Sequence, residues 1–312
     1  MSTDNRTLIQ KADFLLSELA AGGLLEPAQA DQFIRLAIKE PVMMREVQVT
    51  PMTTPSERRD KMRFASRVLK PGNEAAGLAL AQRSVPALGF VTLDTKLYRA
   101  ETRMSDEVLE DQIERGAFKQ TVMQELSRAV ARDMEQVAVN GDTASADSLL
   151  ATQDGWVKLA SANLVDAGVA QLSKAVLRNM LQALPDEFTD IPNLRYYTNF
   201  HAQVAYADSL ADRATALGDR FLFAVGAEDP AYSRVAVRAV PEFPDNLGVG
   251  TNETVALLTD PKNLVMGIQR NIKLETQRDA PAGVTIIVIS VRFAVNIIEI
   301  SAVSKATRVL GI

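Results

Sequence analysis

The chain has 312 residues, 47% of them hydrophobic, with 39 acidic against 34 basic side chains and a formal net charge of −5. Such a length is enough for two lobes with separate cores, and the acidic balance argues against a protein whose main task is gripping nucleic acid. With no cysteine and one histidine, disulfides, thiolate metal sites and cysteine nucleophiles are excluded, and little remains for zinc or haem.

Over residues 1–39 the pattern is helical. Leu8, Ala12, Leu15, Leu16 and Leu19 form one apolar stripe ending at Gly22-Gly23, and Pro27 opens a second through Ala30, Phe33, Ile34, Leu36 and Ala37. Two short amphipathic helices joined by glycines make an arm. It cannot bury both stripes on itself, so it is expected to lie on another part of the protein or on another subunit. Arg6, Gln10, Lys11 and Asp13 interrupt the apolar core a secretory segment would need, and none is expected. Past Pro41, Val47 and Val49 alternate with polar residues, while the following MTTPSERRDKMRF carries only weak strand signals.

Over 66–88, Pro71, Gly72, Gly77 and Pro86 punctuate a stretch with too little periodicity for an ordinary helix or strand. A loop this long points to a projection that packs elsewhere. The pattern predicts a projecting hairpin whose return limb, 90–103, is a single half-buried strand: Val91, Leu93, Thr95 and Leu97 alternate with Thr92, Asp94, Lys96 and Tyr98. It leads into the strongest element. Ser105, Asp106 and Glu107 start a short helix broken at Gly116. From 117 to 139 there is no Pro or Gly, and Phe118, Val122, Leu126, Ala129, Val130, Met134 and Val137 recur at three- and four-residue steps. Lys119, Glu125, Arg128, Arg132 and Glu135 make the opposite, solvated side. At about 1.5 Å per residue this spine is roughly 35 Å long, and Asn140-Gly141, tolerant of left-handed backbone, stops it.

A turn-rich stretch then ends at the only tryptophan, Trp156. A second helix is predicted over 166–184 through Val169, Leu172, Val176, Met180 and Leu181, stopped by Pro185. It opens a mixed lobe with a strand over 194–198, a helix over 200–210 and strands over 234–240 and 255–259. From Asp260 the tail reads as nearly all strand, turning at APAG (280–283). It is expected to lie along the spine, since no other apolar partner of sufficient length remains. Its apolar run over 284–295 is broken by Thr285, Ser290 and Arg292, and is too short and too β-branched for a membrane span.

No pattern carries catalysis. His201 stands in TNFHAQVAY without a nucleophile context, and GxSxG, HExxH and GxxxxGK[ST] are all absent; it reads as a structural or surface histidine. Gly248-Val249-Gly250 lacks the third glycine of a dinucleotide loop and reads as a turn. Asn140, Gly141, Asp142 and Asp147 could approach a cation, though helix termination accounts for the first two. No cofactor, metal or enzymatic activity is expected.

This order of parts resembles the major capsid protein of tailed double-stranded-DNA bacteriophages, with its Hong Kong 97-like fold. The resemblance covers nearly the whole chain and is most specific on the spine from Ser105 through Asn140-Gly141-Asp142, and on LLTDPKNLVMGIQRNIKLETQRD (257–279) followed by Arg292. It implies an α+β fold: an N-terminal arm (1–46), an extended E loop with its strands (47–103), a peripheral domain holding the spine helix (104–165), an axial domain (166–259) and a return to the peripheral domain (260–312). It also implies self-assembly through pentamers and hexamers into an icosahedral shell enclosing double-stranded DNA without sequence-specific binding. The protein would then be found in the virion and, during assembly, in the host cytoplasm, with no membrane association. Scaffolding, portal and decoration proteins are the implied partners; the scaffold is expected to be separate, because only a short arm precedes the loop.

Within that resemblance, charged residues flanking the projecting elements are candidates for pairs between subunits: Arg58, Arg59, Lys61 and Arg63, then Lys70 near the loop tip, and Arg270, Lys273, Glu275, Arg278 and Asp279 at the tail turn. Exposed pairs of this kind contribute about 0–1 kcal/mol each and fix register more than affinity. Some members of the family crosslink a loop lysine to an asparagine. Lys70 is placed for that, but no asparagine can be matched to it and crosslinking is not expected. Two other readings stay open: an encapsulin-like shell housing enzyme cargo, and an enzyme or ligand-binding protein of mixed fold, which would be a discrete small species.

Overall fold

The computed structural model describes residues 41–64, 67–71, 77–105, 117–190, 192–211, 229–247, 252–269 and 273–311. The arm expected over 1–39, the short helix over 106–116 and the turn at 248–250 lie outside them. The first half of the chain gives β1 (Gln48–Met52), β2 (Ser56–Arg63), β3 (Ala87–Asp94), β4 (Lys96–Ser105), the spine α1 (Ala117–Asn140), a single turn α2 (Trp156–Leu159), β5 (Leu164–Gln171) and α3 (Lys174–Ala183). The second half gives β6 (Arg195–Thr198), α4 (Phe200–Ala211), β7 (Ala231–Tyr232), β8 (Val235–Ala239), β9 (Glu253–Thr259), β10 (Leu264–Gln269), β11 (Lys273–Asp279), β12 (Val284–Ile297) and β13 (Ser304–Leu310).

Three sheets organise these elements. In the first, the 14-residue β12 pairs antiparallel with β4 along one edge and with β11 and then β10 along the other, and β1 adds parallel to β10. One face of this sheet meets the spine: Val130, Met134 and Val137 share a core with Ile289, Val291, Phe293 and Trp156. The Trp156 indole N–H donates to the Asn296 carbonyl at 3.2 Å. The opposite face is closed by a smaller cluster of Met52, Leu93, Val265 and Ala294. The tail therefore lies along the spine, as its apolar run requires.

The second sheet runs β5-β13-β9-β6-β8-β7. One face carries α3 and α4, where Leu177, Met180, Tyr206 and Leu210 pack on Tyr196, Val237, Ala256 and Leu258. The third sheet is the antiparallel pair β2–β3, registered from Ser56 opposite Asp94 to Arg63 opposite Ala87. It is the projecting hairpin.

Five details differ from the sequence reading, each for a local reason. Residues 164–171 are strand, and the predicted helix begins only at Lys174. Gly168 (φ 66°) and Val169 (φ 59°) sit in the left-handed region, where a β-branched residue cannot continue a helix; the three-residue spacing of Val169 and Leu172 imitated one. The return limb is two strands, because the chain changes face at Thr95: Leu93 is buried before it, Leu97 is exposed after it, and Tyr98 stacks on Phe293. The weakly signalled 56–63 is a full strand. The tail does not return wholly to the spine, since β13 pairs with β5 and β9 in the second sheet. Finally, Glu135 is buried at 3% exposure, not solvated.

Gly141 also acts differently from a left-handed stop, because its φ is not positive. It is a point of close backbone approach. Gly155 N–H donates to the Gly141 carbonyl at 2.8 Å, closing the loop between them. A Cβ on Gly155 would stand 2.7 Å from Gly141 N and from the Val139 carbonyl, and one on Gly141 would collide with the Gln153 and Val137 carbonyls. Backbone cannot give way there as a side-chain tip would. Gly141→Ala and Gly155→Ala are each expected to lower stability by about 2 kcal/mol or more, while Gly77→Ala, with open space around it, leaves it nearly unchanged. Thermal melts followed by Trp156 fluorescence check this.

Candidate assembly surfaces

The hairpin is firmly held at its root and apolar toward its tip. Thr95 donates from both its backbone N–H (2.8 Å) and its hydroxyl (2.9 Å) to the Pro55 carbonyl, joining the two limbs where they leave the body. Asn296 Nδ2 donates to the Thr92 carbonyl at 2.9 Å, and Lys61 Nζ reaches the tail, 2.9 Å from both the Ile298 carbonyl and Glu299 Oε2. Farther out the side chains have little to pack on. Among the described residues fifteen large apolar side chains are exposed, and nine of them lie between Met62 and Phe90: Leu69, Leu80, Val85 and Leu88 are 79–91% exposed. A lone protein does not concentrate apolar surface on one projection unless something covers it.

The arm's root is the second surface. A short turn over Met43–Arg45 presents its amide groups to the spine, and Glu135 Oε1 accepts from Met43 N–H at 2.6 Å. Met43 and Met44 insert into the spine core. Burial pushes the Glu135 carboxyl above its usual range; the amides of Met43, Met44 and Val42 only partly oppose this, and the charge of Glu242 adds to it. One residue past the turn, Glu46 accepts the Tyr197 hydroxyl at 2.6 Å and pairs with Arg238 at 3.4 Å, while Arg238 also pairs with Asp229 at 2.9 Å. The root is thus tied to the spine by one acid and to the central lobe by another. Neither was singled out from the sequence: Glu135 fell on the charged stripe of the helix, and nothing in a single sequence marks an acid that will cap a turn 92 positions away.

The charged candidates divide. Arg58 pairs with Asp60 on its own strand at 2.7 Å and lies 4.0 Å over the Phe90 ring; Arg59 faces Glu57 at 3.8 Å, Arg63 faces Glu187 at 4.0 Å, and Lys61 holds Glu299. These four have partners within the chain, and Arg278 is not without an interaction either. Lys70, Glu275 and Arg278 are exposed and Asp279 half-exposed beside the β11–β12 turn; Lys273 opens β11, and Arg270 lies outside the described residues. His201 is exposed on the first turn of α4, edge-on to Phe200. Asp142 binds Lys158 at 2.9 Å and Asp147 caps Leu149 N–H, and among the described residues no acidic or imidazole cluster suits a metal ion. What sequence reasoning missed was the apolar tip. Its signal was present, as Leu69, Leu78, Leu80, Val85 and Leu88 inside a segment without periodicity.

Over 311 residues the chain is 34% identical to "Putative prophage capsid protein YqbE" of Bacillus subtilis (strain 168), covering 98% of this chain and 99% of that one. The chain belongs to the phage capsid protein family. No protein-family model matches it. Solved structures place this capsid protein's fold. A chain of the satellite phage P4 procapsid, a structure that includes size determination (Sid) protein, aligns over 99% of this chain and 98% of its own with TM-score 0.67 at 11% identity. The capsid of an empty GTA particle aligns over 91% and 99%, TM-score 0.62, at 16% identity. The SrpI encapsulin of Synechococcus elongatus PCC 7942 aligns over 87% and 88%, TM-score 0.60, at 10% identity. At such identities the likeness is one of fold, and that fold is the α+β Hong Kong 97-like one. Among the described residues of the capsid protein no helix is long and apolar enough to cross a membrane.

Glu135 gives a test of the arm root. Its carboxyl is harder to ionise in the folded chain than in the unfolded one, so the folded state binds that proton more tightly, and its stabilising contribution is full below the ordinary glutamate value and is lost as pH rises through the raised one. Glu135→Gln cannot titrate. Melting temperatures measured from pH 4 upward, in steps of about one unit, are expected to show the wild type losing stability relative to the variant. Glu135→Ala, which strips the buried amides of their acceptor, is expected to cost about 1–3 kcal/mol at all of these pH values.

Proposed function

We propose that this chain is the shell-forming subunit of a phage or prophage particle, assembling through pentamers and hexamers into an icosahedral capsid around double-stranded DNA. The observation that carries this is the hairpin: a rigidly rooted projection whose outer residues are apolar and uncovered, on a chain alike in length and sequence to a prophage capsid protein. Heterologous contacts, in which one patch meets a different patch on the next copy, propagate into rings and closed shells. The role is structural, not enzymatic. Its place is the virion, after assembly in the host cytoplasm with a scaffolding protein, a portal and a decoration protein as further partners. Lys70 on the hairpin, with Lys273, Glu275, Arg278 and Asp279 on the strand that leads into the tail turn, are the charged residues proposed to meet neighbouring subunits.

The likeness to an encapsulin supports a second reading, a compartment around enzyme cargo. The content of purified particles separates the two: nuclease-resistant DNA supports the capsid, and a copurifying enzyme supports the compartment. For the shell itself, Leu69→Ser, Leu80→Ser and Val85→Ser combined are expected to leave a folded 34.0 kDa subunit that no longer forms rings or shells by light scattering and negative-stain microscopy. Normal shells from this variant would remove the hairpin from the assembly contact.

A further inference from the structure

The hairpin meets the body at its root, where Leu93 is buried with Met52, Val265 and Ala294 and Asn296 Nδ2 donates to the Thr92 carbonyl, and farther out through Lys61. At its root, Pro55 and Thr95 are joined by two hydrogen bonds, and the change of face at Thr95 separates the hairpin's strand from β4. Beyond the root, a cavity of about 170 Å³, lined by Lys61, Val91, Leu93, Val265 and Ile298, lies between hairpin and tail. A close-packed interface would leave no such gap. Across it reaches Lys61, whose ammonium group donates to the Ile298 carbonyl and to Glu299 Oε2, both at 2.9 Å.

Each side of this bridge is prepared. Opposite Lys61 in the hairpin register stands Gly89, and a Cβ there would press to 3.0 Å from Lys61 Cε and 3.3 Å from Cγ. The glycine leaves the channel through which the lysine stem crosses its partner strand. On the tail, Asn263 pins residues 298–299 with three hydrogen bonds: its carbonyl accepts Ile298 N–H, its Oδ1 accepts Glu299 N–H, and its Nδ2 donates to the Glu299 carbonyl, all at 2.8–2.9 Å. Ser301 Oγ donates to Glu299 Oε1 at 2.6 Å. Burial alone would raise the Glu299 carboxyl, but the bonds from Ser301 and Lys61 outweigh it and hold the group below its usual range.

We infer that Lys61 and Glu299 form a stop that sets the angle of the projecting hairpin, with the hairpin bending beyond the fixed root formed by Pro55, Thr92, Leu93 and Thr95. A long lever fixed at one end transmits a small angular change into a large displacement at its apolar tip. The stop therefore decides where the tip meets its partner; that consequence rests on the capsid reading, whereas the angle itself does not.

The chain has no cysteine, so two spin labels can be placed without background, at Ala81→Cys on the exposed tip and Ala146→Cys on the exposed loop after the spine. Distances are measured on full-length subunits diluted with unlabelled protein. With Lys61 intact, one narrow distance is expected. Lys61→Met and Gly89→Val, the second crowding the lysine stem, are each expected to lose it for a broad distribution, while Lys61→Arg keeps it, and melting temperatures stay close to that of the parent. A narrow, unshifted distance in both Lys61→Met and Gly89→Val, or a broad one already in the parent, overturns the stop. In parallel, shells of uneven diameter are expected from Lys61→Met. Should no variant, the parent included, form shells, the capsid reading fails while the distances still decide the stop.

Discussion

On β9 the side chains of Val255 and Leu257 enter the spine core while those of Ala256 and Leu258 enter the helical core, so that one seven-residue strand closes both. The period of a strand is two, and a slip of one residue would turn every one of these side chains into the wrong core. The neighbouring strand β6 repeats the arrangement, Tyr196 facing the helices and Tyr197 the spine. The lobes are therefore not free to move as separate bodies. Whatever displaces the central sheet also displaces the surface on which the spine rests.

The last strand solves the same problem with an irregularity. Ala306 and Val309 both enter the helical core although an odd spacing should place them on opposite faces. Arg308, left-handed at φ 57°, lies where β13 carries an extra residue against β9 and where β5 carries the extra residues against β13, and the irregularity restores Val309 to the inner face. Arg308 then pairs with Asp166 across the bulge at 3.1 Å. The left-handed Gly168 and Val169 lie in the facing stretch of β5. A pattern search that assumes unbroken alternation cannot recover such a pair of strands, which is why β5 read as the first half of a helix.

Where an apolar period runs over many residues, the sequence was legible. The spine, α4 and the long tail strands each carry an uninterrupted apolar period over many residues, and the structure has them within a few positions of where that period placed them. Long-range pairing defeated the reading elsewhere. The strand β2 has charged residues on both faces because it packs against little besides β3, so it lacked the alternation by which strands are recognised. Glu135 looked solvated because the turn that covers it comes from 92 residues away. Of the assembly surface, the projection and its charges are legible in the sequence, but at least four of those charges are satisfied inside the chain, and an apolar tip without periodicity gives no comparable pattern.

That division bears on how a shell of this subunit would hold together. Burying a large apolar side chain contributes about 1.5–3 kcal/mol, whereas an exposed ion pair contributes about 0–1 kcal/mol. Covering three or four of the hairpin's exposed residues therefore contributes about 5–12 kcal/mol, more for each residue than any exposed charged pair supplies. Association costs on the order of 4–15 kcal/mol in lost freedom, so one hairpin contact alone is weak. On the proposed reading every copy in a ring both gives and receives a hairpin, and closing the ring adds a contact without ordering another subunit. A net charge of −5 gives the subunit no strong hold on a polyanion, so on the proposed reading the genome is retained by closure of the shell and not by affinity for its wall. The cohesion then has to come from contacts between subunits, which makes the angle at which each hairpin is presented a determinant of whether the rings close.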